Sequence, residues 1–307
     1  MAKNRIGFWD RAEYLLARAA LGPLELLPAT PASWLAALFA WGIYRVTPRW
    51  RSIAHRNLEL AMSDLIAGTH SRIVRETYRN LGRVLLTLAR MPKLTPANVS
   101  EAIAYEGFEH FESALEKGKG VLFLTAHLGN WELSAAAHAL FGNPMHIMVR
   151  PLDNPLLDRW LTARRTMCGN RAIPKADATR AVLRALKRND AVGILADQNA
   201  AGEDGVFVNV FGIQASATSG VAKIAMKTGA VVIPGFAVWD ERSSKYRLKF
   251  YAPLEMASSG DAGADVIENT QRCQKAIERA VREYPGQWLW IHRRWKTRPR
   301  GEPDLYS

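Results

Sequence analysis

The chain has 307 residues, 48% of them hydrophobic and 23% charged, enough for one large domain or one domain with an appendage, and too apolar for disorder. A net charge of +12 points to an anionic partner: nucleic acid, an anionic membrane surface, or an acidic carrier or substrate. Cys168 and Cys273 stand far apart and outside any C-x-x-C pair, and seven scattered histidines form no H-E-x-x-H, which argues against a disulfide framework and a structural metal.

The first fifty residues lack the short apolar core and small-residue cleavage site of a secretory signal. From Ala19 to Tyr44 the one charge is Glu25, yet Gly22, Pro23, Pro28 and Pro31 interrupt the run. Its cleanest piece, "ASWLAALFAWGIY", is about half of the ~20 residues that a spanning helix needs. Trp34, Trp41 and Tyr44 lie within it, and Arg45, Arg49 and Arg51 follow. Residues 1–50 therefore read as a membrane-associating helical region, a hairpin or re-entrant segment with arginines toward anionic headgroups. The pattern also fits a tilted single span, and the plain alternative is an ordinary buried hairpin.

Residues 51–95 read as a pair of amphipathic helices, broken at Ser63–Asp64 and Gly68–His70 and ending in the Pro-rich joint "MPKLTPANVS". From 96 to 307 the pattern alternates. The runs "VLFLTAH", "MHIMVRP", "AVGILADQ", "AVVIPGFAVW" and "KYRLKFYAPLE" predict strands. Helices are predicted between them: one from about Glu132, then "NPLLDRWLTARRTMCG", "DATRAVLRALKRND" capped by Asp177, "TSGVAKIAMKTG", and a long last one beginning near Asp261. This is an α/β pattern with a mostly parallel central sheet flanked by helices. In such sheets ligands bind beyond the carboxyl ends of the strands. His127 and Asp197 both stand at such ends.

There is no G-x-S-x-G, no G-x-x-x-x-G-K-[ST] and no G-x-G-x-x-G after a strand, which argues against an α/β-hydrolase, a P-loop NTPase and a dinucleotide dehydrogenase. What remains is "TAHLGNWE". His127 and Glu132 are five residues apart, and on a continuous helix their side chains would diverge by about 140°. They converge only if His127 sits on the loop and Glu132 in the first helical turn. Gly129 allows the bend and Asn130 is a good N-cap. A carboxylate beside an imidazole orients one ring nitrogen and frees the other to take a proton. No serine or cysteine is placed as nucleophile, so that proton would come from a substrate hydroxyl attacking an activated acyl group. The helix N-terminus would favour an oxyanion or phosphate. The competing reading is a structural cap with a satisfied histidine.

Four blocks then resemble one family. "TAHLGNWE", "VRPLDNPLLDRWLTARR", "ADQN" with "VFVNVFG" and "ATSGVAKIAMKTGAVVIPGF", and "QWLWIHRRWKTRP" are similar to the lipid A biosynthesis acyltransferases, the late lauroyl and myristoyl transferases. These lie within the glycerolipid acyltransferase superfamily that shares H-x-x-x-x-[DE]. The resemblance runs from about Trp9 to Pro299 and implies a glycerolipid-acyltransferase-like fold. It implies His127 as general base and Glu132 as its dyad partner. It also implies that Asn130, Arg150, Asn154, Arg164, Arg165, Asp197 and Gln198 contribute to the substrate site. No cofactor is implied beyond a thioester co-substrate, acyl-acyl carrier protein or acyl-CoA. The partners implied are acyl carrier protein, an anionic glycolipid acceptor and the cytoplasmic face of the bacterial inner membrane. Glycolipid acyltransferases that use acyl-CoA, such as the phosphatidylinositol mannoside enzymes, share the blocks and stand as the alternative.

The basic tail holds Arg293, Arg294, Lys296, Arg298 and Arg300 among Trp288, Trp290 and Trp295. Arg293 and Arg294 are candidates for phosphate or carboxylate recognition, and the tryptophans favour a membrane-interface reading. A solvated tail is the default, and binding to single-stranded nucleic acid is a further reading. An interfacial N-terminus and a strand-end His–Glu pair are not expected of a nucleic-acid module. His138 and His146 read as packing or surface residues, and the cysteines as free and buried.

Overall fold

The computed structural model describes residues 6–66, 68–174, 178–202 and 205–307. Four helices come first: α1 (Phe8–Leu26), α2 (Ala29–Val46), α3 (Pro48–Ala61) and α4 (Thr69–Arg90). Pro28 separates α1 from α2 and Pro48 starts α3, a position where its missing N–H costs nothing. The expected boundary at residue 50 thus falls inside α3. Among the described residues no helix is long and apolar enough to cross a membrane, so the tilted-span reading is corrected to two separate helices. The reason is local: Pro28 interrupts the apolar run before it reaches spanning length. On α2, Ala32, Ala36 and Ala40 recur every fourth residue and are buried. They meet Gly82 of α4, where a Cβ would lie 2.9 Å from Ala36 O and from Ala40 Cβ, so the two backbones cross closely.

The remainder is α/β. In chain order come α5 (Val99–Ala102), β1 (Ile103–Glu106), α6 (Glu109–Glu116), β2 (Val121–Thr125), α7 (Trp131–Leu140), β3 (His146–Val149), α8 (Pro155–Thr166) and β4 (Arg171–Pro174). Then follow α9 (Ala178–Lys187), β5 (Ala191–Leu195), β6 (Gly205–Val210), β7 (Ile213–Thr218), α10 (Gly220–Thr228), β8 (Val231–Asp240), β9 (Lys245–Phe250) and α11 (Ala262–Glu283). The seven-stranded sheet has the order β1-β9-β8-β2-β5-β3-β4. β8, β2, β5, β3 and β4 are mutually parallel; β9 runs antiparallel to β8, and β1 is parallel to β9. The expected mostly parallel sheet flanked by helices is therefore present, with an antiparallel edge. The expected cap Asp177 lies outside the described residues.

Side chains alternate across the sheet. Leu122, Leu124, Val192, Ile194 and Val232 join one core; Val121, Phe123, Ala191 and Ile233 join the other, under α6 and α7. β6 and β7 form a separate antiparallel hairpin. Its two-residue turn, Phe211–Gly212, has φ of 53° and 80°, the conformation that a tight hairpin of this twist requires. Phe211 can hold that unusual backbone because its ring is packed 6.0 Å from those of Trp288 and Trp290. The tail tryptophans Trp288, Trp290 and Trp295 are all buried in the main core, which corrects the interface reading of "QWLWIHRRW". Three large rings spaced along an irregular segment fill the space between β7, α11 and the sheet, and that burial outweighs any interfacial preference.

Candidate active site

The site follows from sheet register. β2 and β5 are parallel neighbours with Thr125 opposite Leu195, and Ala196 N donates to Thr125 O at 3.0 Å. Two residues beyond each strand, His127 and Asp197 emerge side by side. The His127 Nδ1 to Asp197 Oδ1 distance is 2.9 Å. His127 N donates to Asp197 Oδ2 at 3.0 Å, and the Trp288 indole Nε1 donates to the same oxygen at 2.8 Å. Asp197 is buried, which raises a carboxyl pKa, but His127 and these donors outweigh burial and hold it at about 2. Burial likewise works against the imidazolium of His127, and the Asp197 charge overcomes it. With a smaller pull from Glu132 and a push from Arg165, the His127 pKa stands above its ordinary 6.5. With Nδ1 engaged, Nε2 is the nitrogen left for proton transfer.

The turn after β2 is built for this. Gly129 has φ of 65°, and a Cβ there would sit 1.9 Å from Ala237 O. Gly129 N donates to Gln287 O, Asn130 N to Ala237 O, and Leu289 N to His127 O. The tail therefore pairs with the loop, and Leu128 bridges Trp288. From the other side Asn80 of α4 donates to Gly129 O at 2.8 Å.

The expected contact between imidazole and carboxylate is thus made, but by Asp197 and not by Glu132. Asn130 starts α7, and Glu132 in its first turn faces α8, where Arg165 Nε donates to its two oxygens at 2.9 and 3.2 Å. Arg165 Nη2 also donates to Glu132 Oε1. Of the neighbouring arginines, Arg165 is the one at the site. Arg164 turns the other way: it is buried, pairs with Glu25 of α1 at 2.8 Å and lies 5.3 Å from the Trp160 ring. Two adjacent helical residues point about 100° apart, so only one of them could face the cavity.

The remaining candidates divide. Asn130 is fully buried; its Oδ1 accepts from Leu133 N and its Nδ2 donates to Thr87, so it caps α7 and is corrected from substrate contact to structural support. Asn154 caps α8 and its Nδ2 donates to Asp10 O and Glu13 Oε2, tying α1 to the sheet domain. Arg294 is buried, donating to Ser216 O and Gln274 Oε1, and burial brings its pKa to about 10. Arg293 stacks over the Tyr306 ring at 5.6 Å and does not line the cavity. Asn154, Arg164 and Arg294 are therefore corrected, because they bond to other parts of the fold, and Arg293 because it stacks on Tyr306 away from the cavity. Arg150 and Gln198 do line the cavity, Arg150 exposed at its rim.

That cavity, about 410 Å³, lies between α7, α8 and the sheet. His127, Glu132, Arg165, Gln198 and Asn199 stand at its polar mouth, and below them the wall is apolar. His138 belongs to that wall. Its Nδ1 is 2.6 Å from the Tyr105 hydroxyl, aromatic rings surround it, and burial drives its pKa down to about 3, so the wall carries no charge there. His292 is similarly neutral, held at about 4 by burial, and its Nε2 accepts from Asn199 N at 3.0 Å. Sequence reasoning missed Trp288, Asn80 and Thr87 as supports of the site; no local spacing marks them, because each reaches it from a distant element.

A model of a protein family described as bacterial lipid A biosynthesis acyltransferase matches residues 10–297. The lipid A biosynthesis palmitoleoyltransferase of Escherichia coli (strain K12) is 29% identical over 259 residues, covering 84% of this chain and 82% of the relative. The lauroyltransferase of the same organism is 28% identical over 266 residues, with 85% and 84% covered. Its myristoyltransferase is 23% identical over 252 residues, with 82% and 76% covered.

Proposed function

Because this chain belongs to the bacterial lipid A biosynthesis acyltransferase family, and is an acyltransferase of lipid A biosynthesis by that membership, we propose that it moves a fatty acyl group from acyl carrier protein to a hydroxyl of a lipid A precursor. His127 is the general base in this reading and Asp197 the carboxylate that orients it. Nε2 takes the proton of the acceptor hydroxyl as its oxygen attacks the thioester carbonyl. The tetrahedral oxyanion then collapses, the C–S bond breaks, and the thiolate leaves with the proton carried on Nε2. Arg165, held in place by Glu132, supplies positive charge beside the reacting atoms. Arg150 at the rim is suited to a phosphate of the acceptor.

The observation that carries this reading is the His127–Asp197 pair at a cavity whose lining beyond the polar mouth is mostly apolar. A deep greasy pocket beneath a base suits an acyl chain and suits few other activated groups. The net charge of +12 favours an acidic carrier protein and a phosphorylated glycolipid alike. α1 and α2 expose Phe8, Trp9, Leu15, Leu16, Trp34, Leu38 and Trp41, and this exposed apolar surface supports a reading in which the two helices rest on the cytoplasmic surface of the inner membrane.

The test is turnover with acyl-acyl carrier protein, and in parallel acyl-CoA, against a lipid A precursor. His127→Gln and Asp197→Asn each lower kcat by on the order of 10²–10⁴-fold with the fold intact. Unchanged turnover in the His127 variant would end the general-base assignment, and a preference for acyl-CoA would replace the donor.

A further inference from the structure

The lining of the cavity includes a glycine where a strand would ordinarily place a side chain. Gly193 lies mid-strand in β5, flanked in register by Phe123 of β2 and Ile147 of β3 on the face that looks at α7. Its φ is not in the left-handed region, so the backbone does not require glycine there. A glycine inside a central strand weakens it, and the usual compensation is close approach of another group. Here that group is Met145, just before β3: a Cβ on Gly193 would lie 3.1 Å from Met145 Cε and 3.9 Å from its Sδ. The thioether therefore rests in the notch that Gly193 leaves.

Met145 is fixed at its root and free at its tip. Its N–H donates to Asn170 Oδ1 at 3.0 Å and its carbonyl accepts from Arg171 N at 3.0 Å. Its side chain has three rotatable bonds and no polar partner to hold it. Both residues line the cavity, on the far side of Thr125 and Leu195 from His127. A chain bound with its carbonyl at His127 runs down past that pair and reaches Gly193 and Met145 next.

We propose that Met145 lying in the Gly193 notch is the stop that sets the length of acyl chain this enzyme accepts. The inference rests on the reading of the cavity as the acyl site. Removing the thioether leaves the notch open and lengthens the channel, and a side chain on Gly193 fills the notch, pushes the thioether into the channel and shortens it. A methylene that loses its place in the channel changes kcat/KM by about fourfold, so a two-carbon step changes it by roughly fifteenfold.

The experiment measures kcat/KM for a ladder of saturated acyl donors, decanoyl to palmitoyl, with wild type, Met145→Ala, Gly193→Ala and Gly193→Val, each checked by thermal melting. Met145→Ala is expected to move the preference to longer chains by one two-carbon step. Gly193→Val moves it to shorter chains, and Gly193→Ala moves it the same way by less. Should Gly193→Val fail to fold, the opposed shifts of Met145→Ala and Gly193→Ala decide alone. An active wild type whose preference is unchanged in the folded variants, or displaced in the same direction by both kinds of substitution, overturns the stop and leaves the acyltransferase reading standing. A wild type that transfers from no donor in the ladder overturns the acyl-site reading, and the stop with it.

Discussion

At Asp197 three donors converge on one buried carboxylate: the His127 ring, the His127 backbone N–H and the Trp288 indole. That convergence has a pH signature. On the proposed reading the base works as free imidazole, so kcat/KM is expected to rise with pH through the His127 pKa, which Asp197 holds above 6.5. In Asp197→Asn the attraction is gone and burial dominates, so the pKa falls below its ordinary value. The acid limb of the pH–rate profile is then expected to move to lower pH while the maximal rate falls; a limb that stays in place or rises would contradict the assigned partner. The strand-end position of His127 was legible from eight residues of sequence. Its partner was harder to choose, because Glu132 is near in sequence while Asp197 is seventy residues on and near only through β2–β5 pairing. Spacing along one turn shows which carboxylates are local; register between strands decides which one arrives.

α4 does more than its amphipathic pattern suggests, since one face packs on α2 through Gly82 and the other supports the His127 turn through Asn80 and Thr87. Gly82→Leu overfills the crossing with Ala36 and Ala40 and is expected to lower stability by about 1–3 kcal/mol. Equilibrium denaturation reads this directly, and a neutral result would mean that α2 and α4 tolerate separation. The strands that were readable, "VLFL" and "AVGIL", are continuous apolar runs buried on both faces. β1 and β4 are four residues each and sit at the sheet edges, where neighbours rather than composition decide the conformation. The β6–β7 hairpin escaped notice because its turn is Phe-Gly, not the Asn-Gly or Asp-Gly that announces such turns.

Across the whole molecule, Asn154 and Arg164 tie α1 to α8, the helix that also carries Arg165 to the cavity. Trp9, Trp34 and Trp41 are 77%, 72% and 60% exposed. Replacing all three with Asp is expected to release the protein from phosphatidylglycerol vesicles in flotation, and undiminished binding would remove that face as the membrane contact. The basic tail shows why composition misleads at this scale: a run of arginines reads as surface, yet Arg294 is enclosed beside the buried Trp295. The pairing of residues 127–129 with 287–289 has a temporal consequence. A ribosome exposes His127 long before it delivers the segment that secures the histidine's loop, so the growing polypeptide carries the imidazole before its loop is fastened.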